Sequence, residues 1–176
     1  RPHACPGLLR IVASRDGGIC RIKLPCGQFD AGAARAIALA AERHAAGVLE
    51  ATNRANLQIR GVQAGAENAL SRELLAAGLG PRELAADDVR NLLVSPALGL
   101  DACSTFDATP LARHLLDLLE RTPRFHDLSP KFGIQLDAGE ALAMLDHPND
   151  IWLSAIADNA MPLFAFGLAG CPPQRE

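Results

Sequence analysis

Ala51-Thr52-Asn53-Arg54-Ala55-Asn56-Leu57-Gln58-Ile59-Arg60-Gly61-Val62 places Arg54, Asn56, Gln58 and Arg60 at i, i+2, i+4 and i+6. Successive side chains of a strand point to opposite faces, so this spacing predicts one polar face with two guanidiniums and two amides. Leu57 and Ile59 fall on the other face and point to a core. Guanidinium forks grip carboxylates through paired hydrogen bonds, and carboxamides donate or accept beside them. The pattern admits two readings: a surface for a flat polyanion, or a half-exposed antiparallel strand with an ordinary polar outer side.

Working outward, Gly17-Gly18 punctuates the start of a strand predicted over 19–24, with Ile22 and Leu24 on one face and Arg21 and Lys23 on the other. Asp30 is a good N-cap for an Ala-rich helix through about His44, stopped by Gly47. Strands are predicted over 48–52 and 56–62, joined by a tight Asn53-Arg54-Ala55 connection. A second helix is predicted over 64–77, ended by Gly78-Leu79-Gly80-Pro81. This β-α-β-β-α order implies a small α+β unit with its helices on one face of a sheet. Pairing of the first strand beside 56–62 would add Arg21 and Lys23 to the polar face, where a solvated role is the expectation.

A second unit starts after Pro81. Leu92-Leu93-Val94 reads as a short strand broken by Ser95-Pro96, and 97–108 as loop. A helix over 108–121 has Thr109 or Asp107 as its cap, Pro110 early in its first turn, and a stripe of Leu111, Leu115, Leu118 and Leu119. Strand-like runs follow at 132–136, 151–157 and 162–168.

The 176 residues suit one medium domain or two small packed units. Fractions of 49% hydrophobic and 21% charged residues are those of an ordinary globular protein. Six Phe, one Trp and no Tyr leave few rings on which single-stranded nucleic acid could stack. A net charge of −3 argues against a general phosphate-backbone binder, although a local basic cluster can still hold a small anion. No apolar run approaches the roughly 20 residues of a membrane span, and the N-terminus lacks the layout of a secretory signal. Five cysteines without framework spacing fit a reducing cytoplasm. The start at Arg1 and the ending Pro172-Pro173-Gln174-Arg175-Glu176 read as cuts through a longer sequence.

Six segments together resemble the nitrite/sulfite reductase superfamily, and within it the precorrin-3B synthase family. They are Cys5-Pro6-Gly7-Leu8, the stretch from Gly17 to Pro25, that from Ala51 to Val62, Val89-Arg90-Asn91-Leu92-Leu93-Val94-Ser95-Pro96, Leu128-Ser129-Pro130-Lys131-Phe132-Gly133, and the run from Phe164 to Pro172. The resemblance implies an N-terminal half: a ferredoxin-like half-module over 1–80, then the truncated first part of a tetrapyrrole (sirohaem or precorrin)-binding α+β module over 81–176. It implies O2-dependent hydroxylation and lactone formation on precorrin-3A, in aerobic cobalamin biosynthesis. Arg54, Arg60, Arg90 and Lys131 match family cations that ring the macrocycle, so with Asn56 and Gln58 they are the candidate ligand-binding set. Where reductases place a second lysine stands Gly133, which tilts the reading away from a small oxyanion.

The resemblance also implies an iron–sulfur cluster and iron or sirohaem, held by cysteines of a missing C-terminal half. Cys20 and Cys26 share the Cys-x5-Cys spacing of one cluster pair, yet no Cys-x3-Cys pair accompanies them, so coincidence is expected. Cys5, Cys103 and Cys171 read as ordinary thiols, and the histidines at 3, 44, 114, 126 and 147 show no paired ligand spacing. No metal site is expected in the chain itself. No nucleophile with a base, and no carboxylate pair, is evident, so catalytic residues are left unassigned and redox chemistry would come from a cofactor. The expected partners are an anionic tetrapyrrole and either the missing half or a second copy of the chain. The alternatives are a non-catalytic tetrapyrrole-binding module that dimerises, or a sulfite/nitrite reductase-like protein.

Overall fold

Two antiparallel neighbours, β2 (Gly17–Lys23) and β4 (Asn56–Val62), form the centre of the first sheet. A short β1 (Val12–Ser14) pairs with β2, and β3 (Val48–Ala51) pairs with β4, giving the order β1-β2-β4-β3. The structure, a computed structural model, describes residues 5–156 and 162–174. The predicted His3 and the end of the 151–157 strand at Ala157 lie outside the described residues.

Helices α1 (Ala31–His44) and α2 (Glu67–Ala76) cover one face of this sheet. Asp30 caps α1 as expected, its Oδ1 accepting from Ala33 N at 2.7 Å. Ala40 and Ala41 are buried, and their small side chains let the helix lie close above Cys20, Ile22 and Ile59. Glu73 of α2 ties the helices together, bonding Arg43 at 2.9 Å and His44 at 2.8 Å. The second helix starts at Glu67, later than the predicted residue 64. Gly65, at φ 88°, forms a turn there, closed by Ala66 N donating to Gln63 O at 3.0 Å. The β1 strand was not predicted; its three residues are too few to show a period.

The second unit holds β5 (Leu92–Leu93), α3 (Thr109–Arg121), β6 (Ile134–Asp137), β7 (Ile151–Ile156) and β8 (Leu163–Leu168), with sheet order β5-β6-β7-β8. The first three strands run parallel and β8 runs antiparallel to β7. Helix α3 buries Ala112, Leu116 and Leu119 against this sheet. That corrects the predicted stripe: Leu111 and Leu115 are only partly buried, and Leu118 is largely exposed. Ala108 holds the N-cap position without a side-chain bond, while Asp107 accepts from Thr109 N at 2.9 Å. The strand expected from 132 begins at Ile134 because Phe132 still belongs to a turn, donating to Ser129 O at 2.8 Å.

The two units are fastened together. Cys26, in a one-turn helix just after β2, is buried in the core of the second unit beside Leu92 and Leu98. Lys23 of β2 reaches the main chain of Asp88, and Arg10 forks onto the Asp88 carboxylate. Architecture of this kind is α+β, with two sheets and three α-helices among the described residues.

Candidate functional site

Thr52 shapes the turn between β3 and β4. Its hydroxyl accepts the amides of Arg54 at 3.4 Å and Asn56 at 3.3 Å, and its carbonyl accepts from Ala55, which sits at φ 54°. Arg54 therefore rides on the turn and not on the strand, which corrects the i, i+2 spacing expected of it. The side chain is half-buried and lines a small cleft of about 20 Å³ between the two units. Asn91, Lys131, Gly133, Asn149 and Asp150 of the second unit line the same cleft.

The remaining predicted residues are placed elsewhere. Asn56 and Gln58 occupy the outer side of β4 as expected, but both are buried, opposite Lys23 and Arg21 of β2. The Gln58 carboxamide is assigned with its oxygen accepting from Arg21 Nη2 at 2.7 Å and its nitrogen donating to Glu50 at 3.2 Å. Arg60, near the other end of the strand, forks onto Asp16 at 3.0 and 3.1 Å and lies 3.6 Å from Glu50. That fork holds the Asp16 carboxyl below its usual range. Arg90 faces α3: its side chain is 4% exposed, with Nη1 3.6 Å from Glu120 and 3.4 Å from Gly80 O. Burial pulls the Arg90 guanidinium below its ordinary pKa, and Glu120 opposes that pull. The expected convergence of all four cations thus gives way to a pair, Arg54 and Lys131.

Local packing explains the wall facing that pair. Gly133 donates to the Asp150 carboxylate at 2.8 Å, and Asn149 Oδ1 stands 2.9 Å from where a Cβ at 133 would lie. Asn149 is itself held, its Nδ2 donating to Gln135 Oε1 at 2.8 Å and to His147 O at 3.0 Å. A side chain at 133 would have to displace this amide, so glycine is what fits. Behind Arg54, Arg21 is half-buried; burial lowers its pKa first, and repulsion from the Arg54 guanidinium adds to the effect. Lys23 is deeper still, and burial pushes its ammonium down to about 8 despite Asp87 and Asp88.

Such a cleft can grip and orient acid groups through its two cations, the Asn91 and Asn149 amides being spent on the protein itself. Sequence reasoning missed Asn91 and Asn149. Continuing the alternation of β5 one residue back would have put Asn91 on the side of Leu93 and turned Arg90 to the side of Leu92.

An iron–sulfur cluster requires thiolates gathered in one place. Cys20 and Cys26 lie in different hydrophobic cores, and burial pushes the Cys20 thiol up to about 12. Among the described residues, no three His, Cys, Asp or Glu side chains form a group that could hold a metal ion. These residues do not fit a cluster. No helix among them is long and apolar enough to cross a membrane.

Comparison with known proteins gives two family matches: Nitrite/Sulfite reductase ferredoxin-like half domain over residues 12–77, and Nitrite and sulphite reductase 4Fe-4S domain over residues 85–176. A precorrin-3B synthase from Sinorhizobium sp is 30% identical over 97% of this chain, which spans 36% of that relative. A ferredoxin–nitrite reductase from Leptolyngbya laminosa is 33% identical over 66% of the chain, which spans 24% of that protein. Among solved structures, the Mycobacterium tuberculosis NirA protein superposes with a TM-score of 0.67 at 18% identity, over 88% of this chain and 30% of its own. Dissimilatory sulfite reductase I does so with a TM-score of 0.57 at 13% identity, over 78% of this chain and 32% of its own. At those identities the two structures speak to the fold alone. The chain belongs to the nitrite/sulfite reductase superfamily, its ferredoxin-like half domain followed by residues of the 4Fe-4S domain.

Proposed function

We propose that the cleft docks the acid fringe of an anionic tetrapyrrole, and that the chain is the N-terminal half of a precorrin-3B synthase-like oxidoreductase. Residues 1–80 then serve as the ferredoxin-like half and residues 81–176 as the first part of the tetrapyrrole-binding domain. The reaction is O2-dependent hydroxylation of precorrin-3A with lactone formation. One observation carries the reading: Arg54 and Lys131, from different units, line one cleft, while the position of a second lysine holds glycine. Precorrin side chains are acetates and propionates, ionised at neutral pH, and suit such a pair. Similarity to a precorrin-3B synthase along nearly the whole chain supports it further. A bound iron centre and cluster would supply the electron and oxygen chemistry, held by residues other than those described here. This chain's part is to bind and orient.

Similarity to ferredoxin–nitrite reductases supports a second reading, reduction of a small oxyanion, against which Gly133 weighs. A non-catalytic module that dimerises would use the same cleft. Titration with uroporphyrin I, a macrocycle fringed with acetates and propionates, separates the small-oxyanion reading from the first. Arg54→Ala and Lys131→Ala should each weaken binding about tenfold with folding intact, as expected for loss of a charged hydrogen bond. Unaltered affinity in both variants removes the reading. Conversion of precorrin-3A to its lactone by a protein that includes this chain, followed by mass spectrometry, separates enzyme from module.

A further inference from the structure

Asn91 is 92% buried at the start of β5, and its carboxamide reaches far along the sequence. Nδ2 donates to three main-chain oxygens: Asp88 O at 3.1 Å, Pro130 O at 3.1 Å and Phe132 O at 3.0 Å. Pro130 and Phe132 are the residues on either side of Lys131. A carboxamide carries two donor hydrogens, so one of them is shared between two of these three acceptors. The Asn91 carbonyl adds a fourth tie, accepting from Ile134 N at 2.9 Å. Ser129 Oγ accepts the Lys131 amide at 3.2 Å. The Lys131 side chain stays exposed at the cleft, and the place where it leaves the chain is set through the backbone on both sides of it.

A second link passes through the same place. Asp88 O also accepts from Lys23 Nζ at 2.5 Å, and Lys23 stands on β2 opposite Asn56, four residues from the Thr52 hydroxyl that shapes the Arg54 turn. One carbonyl oxygen therefore joins the unit that carries Arg54 to the amide that grips the Lys131 segment.

We propose that Asn91 is a positioning residue: it holds Lys131 at a fixed place across the cleft from Arg54, so that the two cations meet two acid groups of one macrocycle. The proposal rests on the tetrapyrrole reading of the cleft, and its mechanical part can be tested apart from that reading. Asn91 is argued to act only through Lys131, so its effect on binding must vanish once Lys131 is gone. A residue that merely supported the fold would weaken binding with or without Lys131.

The test is a double-mutant cycle on the whole chain, read by uroporphyrin I titration, with amide hydrogen exchange measured in parallel. Asn91→Ala should weaken porphyrin binding roughly fivefold, and Asn91→Ala combined with Lys131→Ala should bind no more weakly than Lys131→Ala alone. Exchange of the amides at 131–134 should accelerate in Asn91→Ala, while those of β4 and α1 keep their protection. Additive losses in the cycle, or unchanged exchange at 131–134, overturn the proposal. A Lys131→Ala variant that binds like the parent overturns the cleft reading and the ligand half of this proposal together, and accelerated exchange would then support the clamp alone. Should Asn91→Ala fail to fold, the parent protein answers: hydrogen-bond scalar couplings from the Asn91 carboxamide to the carbonyl carbons of Pro130 and Phe132 are expected, and their absence overturns the clamp.

Discussion

Lys23 and Asp88 meet at the seam between the two units, where a lysine only 2% exposed donates to a main-chain oxygen rather than to a carboxylate. The Asp88 carboxylate is turned away and engaged by Arg10. A positive charge is thus kept out of water with only partial compensation, which is the circumstance that lowers a lysine pKa.

The sign of the pH effect follows. Lys23 falls from an ordinary 10.5 to about 8 on folding, so between those values the unfolded chain holds a proton that the folded one has released. Stability contributed by this group therefore rises with pH through that window, by on the order of 3 kcal/mol in full. Cys20 acts oppositely above about 9, because its thiol keeps its proton to about 12 in the fold. Denaturant unfolding between pH 8 and 9 should show the rise in the parent and a flatter profile in Lys23→Met. Identical slopes for the two proteins would sink this account.

Arg90 and Glu120 should behave asymmetrically. Removing the carboxylate in Glu120→Ala strands a guanidinium whose Nε and Nη2 already have no protein hydrogen-bond partner. It also frees the Arg82 amide that Glu120 accepts at 2.9 Å. A loss of about 3 kcal/mol is expected, with Arg90→Met costing less because it removes the buried charge itself. Equal losses in urea melts would contradict the assignment of Arg90 to this pair. Porphyrin affinity of folded Arg90→Met should match the parent.

Arg60 offers a contrast with Arg54. Its partners Asp16 and Glu50 are solvated, so Arg60→Ala should cost under about 1 kcal/mol. Porphyrin titration should give the parent affinity for Arg60→Ala and a weakened one for Arg54→Ala. A reversed order would return Arg60 to the ligand set.

At position 133 the expected outcome depends on a second residue. Gly133→Lys alone must displace Asn149 and should cost about 1–3 kcal/mol by overpacking. Gly133→Lys with Asn149→Gly should recover most of that loss. Thermal melts check the pair, and full stability of the single variant would show that Asn149 yields freely.

Much of the fold could be read from local signals. The Asp30 cap, the alanine run after it and the alternation of 56–62 each follow from chemistry within a few residues, and α1 and β4 form where those signals put them. The site was less legible because its geometry depends on distant partners. Arg54 continues the alternation in sequence, but Thr52 bends it off the strand. Arg60 and Arg90 have the right charge, yet Asp16 and Glu120 claim them from 44 and 30 positions away. For Asn91 the alternation of β5 could have shown its side but not its role, because two of its three carboxamide partners lie about forty residues along the chain.

The placement of Cys26 has a practical consequence. This thiol is contributed by the first unit but sealed inside the interior of the second, whereas Cys20 is sealed inside its own. An alkylating reagent can reach Cys26 when the units separate, even if each stays intact, but it can reach Cys20 only when the first unit opens. The chain therefore carries two built-in reporters, one for parting at the seam and one for melting.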